Sequence, residues 1–240
     1  MVKKSNNREL EKIKAKIFKN KNKDKAKILQ RFFKTGKGEY GEGDVFLGLT
    51  VPVQRKIAKN FFCLQLKDLE KLLNSPIHEH RLCALIILIE KYKKGDHELR
   101  EKIFKFYLKN IKKINNWDLV DISAPHILGE HLYLRKKHVL YKLAYSKNLW
   151  EKRISIISTF YFIKQNHFYD TVKIAEILLE DKHDLIHKAA GWMLREMGKR
   201  SAADLRKFLK KHKQKMPRTM LRYSIEKLPE KERKKLLLSK

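Results

Sequence analysis

The chain has 240 residues, and its 57 Lys and Arg against 27 Asp and Glu leave a formal charge of +30. A charge of that size opposes compaction and is rationalised by a polyanion, because each phosphate contact releases a condensed counterion; the bland alternative is a solvated coat of lysines. Hydrophobic residues form 42% of the chain, and Cys63 and Cys83 lack a C-x-x-C spacing, so global disorder, a disulfide framework and a zinc site are not expected.

Taken from the N-terminus, residues 1–7 carry no apolar signal core, and the apolar run over residues 83–89 is far short of the ~20 residues that span a membrane. A reduced, cytoplasmic and nucleoid-associated location is therefore expected, with no membrane partner. Residues 5–34 read as a Lys-rich pair of helices. Five of the nine glycines fall between Gly36 and Gly48, so residues 35–45 read as a loop that holds most of the backbone-permissive positions. Thr50 is a good N-cap and Pro52 suits a first turn, which places a helix start near Val51. From about residue 46 to the end the chain reads as helical repeats, and the whole of 1–240 as a single repeat domain.

Self-similarity is the most informative feature. The strings HRLCALIILIEKY from His80, KRISIISTFYFIK from Lys152, HKAAGWMLREMGK from His187 and LRYSIEKLPEKER from Leu221 each open with a basic residue before an apolar stretch. Those residues are Arg81, Arg153, Lys188 and Arg222, separated by 72, 35 and 34 positions, so one unit is missing near Trp117. A period of about 35 residues with paired helices and no strand signal predicts an all-α, HEAT-like solenoid of stacked antiparallel helix pairs, with a basic concave groove. The basic positions then form a ladder that matches phosphates along a duplex, or else pair with acids of the preceding repeat and hold the stack together.

At the repeat that lacks the basic rung stands the segment from Ile114 to Asp121, in which Asn116 can cap a helix. Trp117 and Asp121, at i and i+4, then share one face. A carboxylate replaces a cation one step along a basic ladder, which fits a ligand with a positive centre. Trp117 as core and Asp118 or Asp121 paired with a neighbouring Arg is the alternative reading of the same residues.

The segment Trp117-Asp118-Leu119-Val120-Asp121, followed by Leu128-Gly129, with Trp150 and Arg153 in the next repeat and the string from Lys188 to Glu196 in the one after, resembles the bacterial AlkD-type DNA alkylation repair family. Phe46-Leu47-Gly48-Leu49 and Pro52 resemble that family's early segment, so the likeness runs from about Arg31 to Leu228. The family is a HEAT-like solenoid whose members include glycosylases that remove purines alkylated at N3 or N7. Carried over by position, the resemblance implies Asp121 as catalytic aspartate, Trp117 and Trp192 as active-site tryptophans, and Arg153 as companion arginine. An aromatic from the first helix pair falls on Phe32, where a Tyr occurs in the best-known pattern. Arg81, Lys188, Arg195 and Arg222 are expected on DNA phosphates. Tyr161 stands where the family pattern has a Lys, so that one DNA contact is not carried over from the resemblance, and Trp150 is expected to pack between repeats.

The chemistry agrees with that likeness. An N3- or N7-alkylpurine carries a positive charge that makes the base its own leaving group. An ionised Asp near C1′ then has to stabilise an oxocarbenium-like sugar and orient water. The expected protein is a monofunctional alkylpurine glycosylase on double-stranded DNA; the alternative is a non-catalytic member that recognises branched or damaged DNA. No H-E-x-x-H or G-x-x-x-x-G-K pattern occurs, so neither metal nor nucleotide cofactor is expected, and the chain is expected to act as a monomer with no obligate protein partner. The segment from Lys199 onward, with 16 Lys and Arg against four acids, reads as further phosphate contacts or as the outer face of a capping repeat.

Overall fold

The computed structural model describes residues 2–238, with side chains from residue 8 onward. The described residues are all-α apart from one isolated parallel bridge, Val45 to Ile77. They fall into two compact units, Met1–Ser123 and Ala124–Lys240. In both, helix pairs bury their apolar stripes on their neighbours, which is the packing of an α-solenoid.

The first unit opens with α1 (Val2–Lys19) and α2 (Lys23–Phe32). Asn22 ends the turn between them and caps α2, its side chain accepting from the Lys25 amide at 2.9 Å. Turns over 35–44 follow, where Glu39 and Glu42 accept from the amides of Gly36 and Gly38. Next come α3 (Val51–Lys59), α4 (Leu66–Leu73), α5 (His78–Lys94), α6 (His97–Lys109) and α7 (Trp117–Ala124). The predicted start at Val51 is observed, although Thr50 supplies extended backbone at the cap position without a side-chain cap bond. α5 is the core helix of this unit: residues 82–89 are all buried, and α1, α3, α4 and α6 pack around it.

One buried staple fixes how the first helix pair meets α5. The Glu79 carboxylate accepts from three consecutive amides, Leu47 at 3.0 Å, Gly48 at 2.8 Å and Leu49 at 3.2 Å. Between two of those amides, Gly48 has φ +89°, and a Cβ there would lie 2.2 Å from the Asn22 carbonyl oxygen. Only glycine meets both demands.

In the second unit Pro125 lacks an amide donor, and residues Pro125–Gly129 turn as a π-helix. After it come α8 (Glu130–Leu132), α9 (His138–Ala144), α10 (Leu149–Lys164), α11 (Tyr169–Ile177), α12 (Asp184–Arg200), α13 (Ala202–His212), α14 (Arg218–Ile225) and α15 (Glu230–Leu238). α10, α12 and α14 stack in chain order, with α9 and α11 against α10 and α13 against α12. Gly191 explains part of the string that begins at Lys188: a Cβ there would sit 2.6 Å from the Met220 carbonyl oxygen, so its absence lets α12 press on α14.

Candidate active site

The first turn of α7 is organised by Asn116. Its side-chain oxygen accepts from the Trp117 amide at 2.8 Å, and its amide group donates to Asp44 at 3.1 Å, so the start of α7 is tied to the loop that precedes α3. Trp117 leaves this turn half-buried, and its indole stacks on Phe33 with centroids 4.9 Å apart and planes 9° apart. Phe32, a residue 61% exposed, meets Trp117 edge-on at 5.8 Å. The structure thus brings two of the residues expected at the lesion, Phe32 and Trp117, into contact. Asp121 is half-buried one turn further along α7.

Behind Trp117 runs a column of rings that sequence reasoning missed. Phe33 stacks on Phe46 at 4.8 Å, and Phe46 stacks on the His78 imidazole at 4.4 Å. A cavity of about 270 Å³ opens beside this column, with walls that include Phe32, Phe33, Phe46, Leu49, His78 and Asp118. The signal for Phe33 was its adjacency to Phe32, but no local pattern says which of two neighbouring rings faces inward.

His78 closes the column with an ionic network. Its Nδ1 donates to Asp44 at 3.0 Å and its Nε2 donates to Asp118 at 2.8 Å. A neutral imidazole has one N–H, so two carboxylate partners call for the protonated ring. Burial opposes that charge, yet the Asp118 carboxylate, by charge and hydrogen bond, together with the bond to Asp44, raises the His78 pKa above its ordinary value. For Asp44 the desolvation penalty is outweighed by His78, Arg81 and Asn116, and its pKa is lowered.

Arg81 belongs to this network and not to a phosphate-binding face. It is 5% exposed and pairs with Asp44 at 2.5 Å, so its expected contact with DNA phosphate is corrected: a guanidinium committed to a buried carboxylate is not offered to an external anion. Of the two readings of the ladder, this rung takes the one in which it holds the stack together.

In the second unit the basic positions also differ among themselves. Arg153 is buried and donates to the Leu185 carbonyl at 2.7 Å, which ties α10 to the first turn of α12. Lys188 pairs with Asp184 at 2.7 Å, one turn earlier on α12, and Arg195 pairs with Glu226. Arg222 is exposed. Trp192 is half-buried, donates from Nε1 to Glu196 at 3.1 Å, and lies 5.9 Å from Phe160 between centroids. Trp150 is buried, in keeping with packing.

The family model described as DNA alkylation repair enzyme matches residues 13–228 of the chain, nearly its whole length. The chain belongs to the AlkD-type DNA alkylation repair family. Membership gives it a role in the repair of alkylated DNA, and DNA as its partner. Among solved structures, one described as a predicted DNA alkylation repair enzyme from Enterococcus faecalis superposes with a TM-score of 0.67, covering 88% of this chain and 97% of that one. At 16% identity that likeness speaks for the repair-family fold alone. Among curated proteins nothing matches. No helix among the described residues of this family member is long and apolar enough to cross a membrane.

Proposed function

We propose that this protein is a monofunctional DNA glycosylase that excises cationic N3- or N7-alkylated purines from duplex DNA. The observation that carries the reading is the Trp117 indole, braced from behind by Phe33 and edged by Phe32, with Asp121 one turn away on the same helix. Aromatic faces attract a cationic base by about 0.5–2 kcal/mol each. The ionised Asp121 stabilises positive charge at C1′ and orients the attacking water.

In the reaction the N-glycosidic bond breaks with its electron pair going to the base, which leaves neutral because it began as a cation. The water oxygen bonds to C1′, and the proton it sheds passes to solvent. From the second unit the family likeness assigns Trp192 to the lesion and Arg153, Lys188, Arg195 and Arg222 to phosphates; the exposure of Arg222 supports that role most directly.

The test is release of free base from a duplex with one N7-methylguanine, under single-turnover conditions, comparing wild type with Asp121→Asn. Release by wild type and a loss of ~10²-fold or more in the variant, at equal or tighter DNA affinity, is expected. Activity that survives the substitution removes Asp121 as catalyst. Salt-sensitive binding without release by either protein leaves the non-catalytic, damage-recognising reading.

A further inference from the structure

Three ties from α5 toward Trp117 meet at one buried side chain, His78, and a further one runs from Arg81 through Asp44 to Asn116. Through its faces, His78 ends the stack that runs by way of Phe46 and Phe33 to the indole. Through Nε2 it holds Asp118, the residue next to Trp117, whose other oxygen accepts from the Leu119 amide at 2.8 Å inside the first turn of α7. Through Nδ1 it holds Asp44, which also holds Asn116, the residue on the other side of Trp117. The ring and Asp118 are thus referenced to one imidazole, and Asn116 to that imidazole together with Arg81.

We propose that His78, as a doubly donating imidazolium, is a positioning residue that sets the seat of Trp117 and of Asp121 one turn on, and that its deprotonation loosens both. The inference rests on the glycosylase reading for its effect on base release, but not for its effect on Trp117. Two carboxylates and one cation face the ring: Asp44 from the loop before α3, Asp118 from α7, and Arg81 from its own helix. Loss of the proton leaves one ring nitrogen as an acceptor against a carboxylate that has only acceptors, so one of the two ties must break. If the tie to Asp118 breaks, the backbone on the C-terminal side of Trp117 loses its link to His78; if the tie to Asp44 breaks, Asp44 and Asn116 are left held from α5 by Arg81 alone, whose Nη2 lies 3.3 Å from Nδ1. His78 touches no reacting atom in this scheme. It acts through Trp117 and α7.

Full-length protein labelled with 5-fluorotryptophan gives one ¹⁹F resonance for each of its three tryptophans, and Trp117→Phe assigns that of Trp117. Between about pH 6 and about pH 10 the Trp117 resonance is expected to titrate with a midpoint above that of an ordinary histidine. Asp118→Asn, which removes the carboxylate that favours the charged ring, should lower the midpoint; His78→Gln should abolish the response. Single-turnover base release should fall by about tenfold or more in His78→Gln, at unchanged DNA affinity, as expected for a misplaced catalytic group. A Trp117 resonance that ignores pH, or that titrates alike in wild type and Asp118→Asn, overturns the proposal. So does base release by Asp118→Asn and His78→Gln with the wild-type rate and pH profile. If His78→Gln does not fold, the midpoint shift in Asp118→Asn decides. A wild type that shows the Trp117 titration but releases no base supports the role of His78 and overturns the glycosylase reading instead.

Discussion

The Phe33 ring lies parallel to the Trp117 indole at 4.9 Å, while Phe32, its neighbour in sequence, meets the same indole by its edge. Phe33 is 6% exposed and Phe32 61%, so the two rings do different work on one tryptophan. Phe33→Ala should lower stability by about 3–5 kcal/mol through the cavity it leaves, and base release with it. Phe32→Ala should change stability by no more than about 0.5 kcal/mol, yet still slow release if its exposed ring meets the lesion as proposed. Urea denaturation alongside single-turnover kinetics separates the two; a Phe32→Ala variant with full activity would remove Phe32 from the lesion.

Arg81 and Arg222 occupy equivalent places in the sequence pattern, but one is buried in an ion pair and the other is exposed. Arg81→Ala leaves the Asp44 carboxylate buried without its guanidinium, and a loss of about 3–5 kcal/mol in stability is expected, with no change in the salt dependence of DNA binding for the protein that folds. Arg222→Ala should behave in the opposite manner, with unchanged stability and a salt slope shallower by about 1. Affinity measured at several salt concentrations checks both.

His78 and His80, two residues apart on α5, are driven in opposite directions. Burial, with Lys14 nearby, pushes His80 down to about 4, against a weaker pull from Glu11, and its Nδ1 meets the Ser75 hydroxyl at 2.9 Å. Between its ordinary value of 6.5 and about 4 the unfolded chain binds a proton that the folded chain refuses, so this contribution to stability is lost as pH falls through that window. The raised pKa of His78 acts with the other sign: its contribution is full below 6.5 and is lost as pH rises through the folded value. Asp44, lowered from 3.8, adds a further loss below that pH. The Tm measured against pH should therefore peak near 6.5. His80→Gln should flatten the acid limb above about pH 4, and Asp118→Asn the alkaline one.

The helix start at Val51, the all-α pattern and the helix that opens at Trp117 were legible because each rests on local chemistry: a proline in a first turn, a recurring apolar stripe, an asparagine ahead of an aromatic and a carboxylate at helical spacing. What supports Trp117 was not legible. Asp44 and His78 are 34 residues apart, and His78 and Asp118 are 40 apart; neither pair leaves a local pattern. The basic ladder misled at Arg81 for a related reason, since the sign of a side chain does not tell whether a carboxylate from another segment reaches it first. Gly48 was counted among five clustered glycines, whereas its φ and its closeness to Asn22 make it a contact point.

The Glu79 staple has a bearing on the order in which the chain is assembled. The amides of Leu47, Gly48 and Leu49 are gathered by a carboxylate 30 to 32 residues downstream, and Gly48 in turn presses on the start of α2. Until α5 has emerged from the ribosome those three amides lack the carboxylate that gathers them, and the strip meets the start of α2 only through the bond from the Asn22 amide to the Leu47 carbonyl. A nascent chain halted before Glu79 is therefore expected to hold its first helix pair less firmly, and to expose it to proteases more, than one that has added α5.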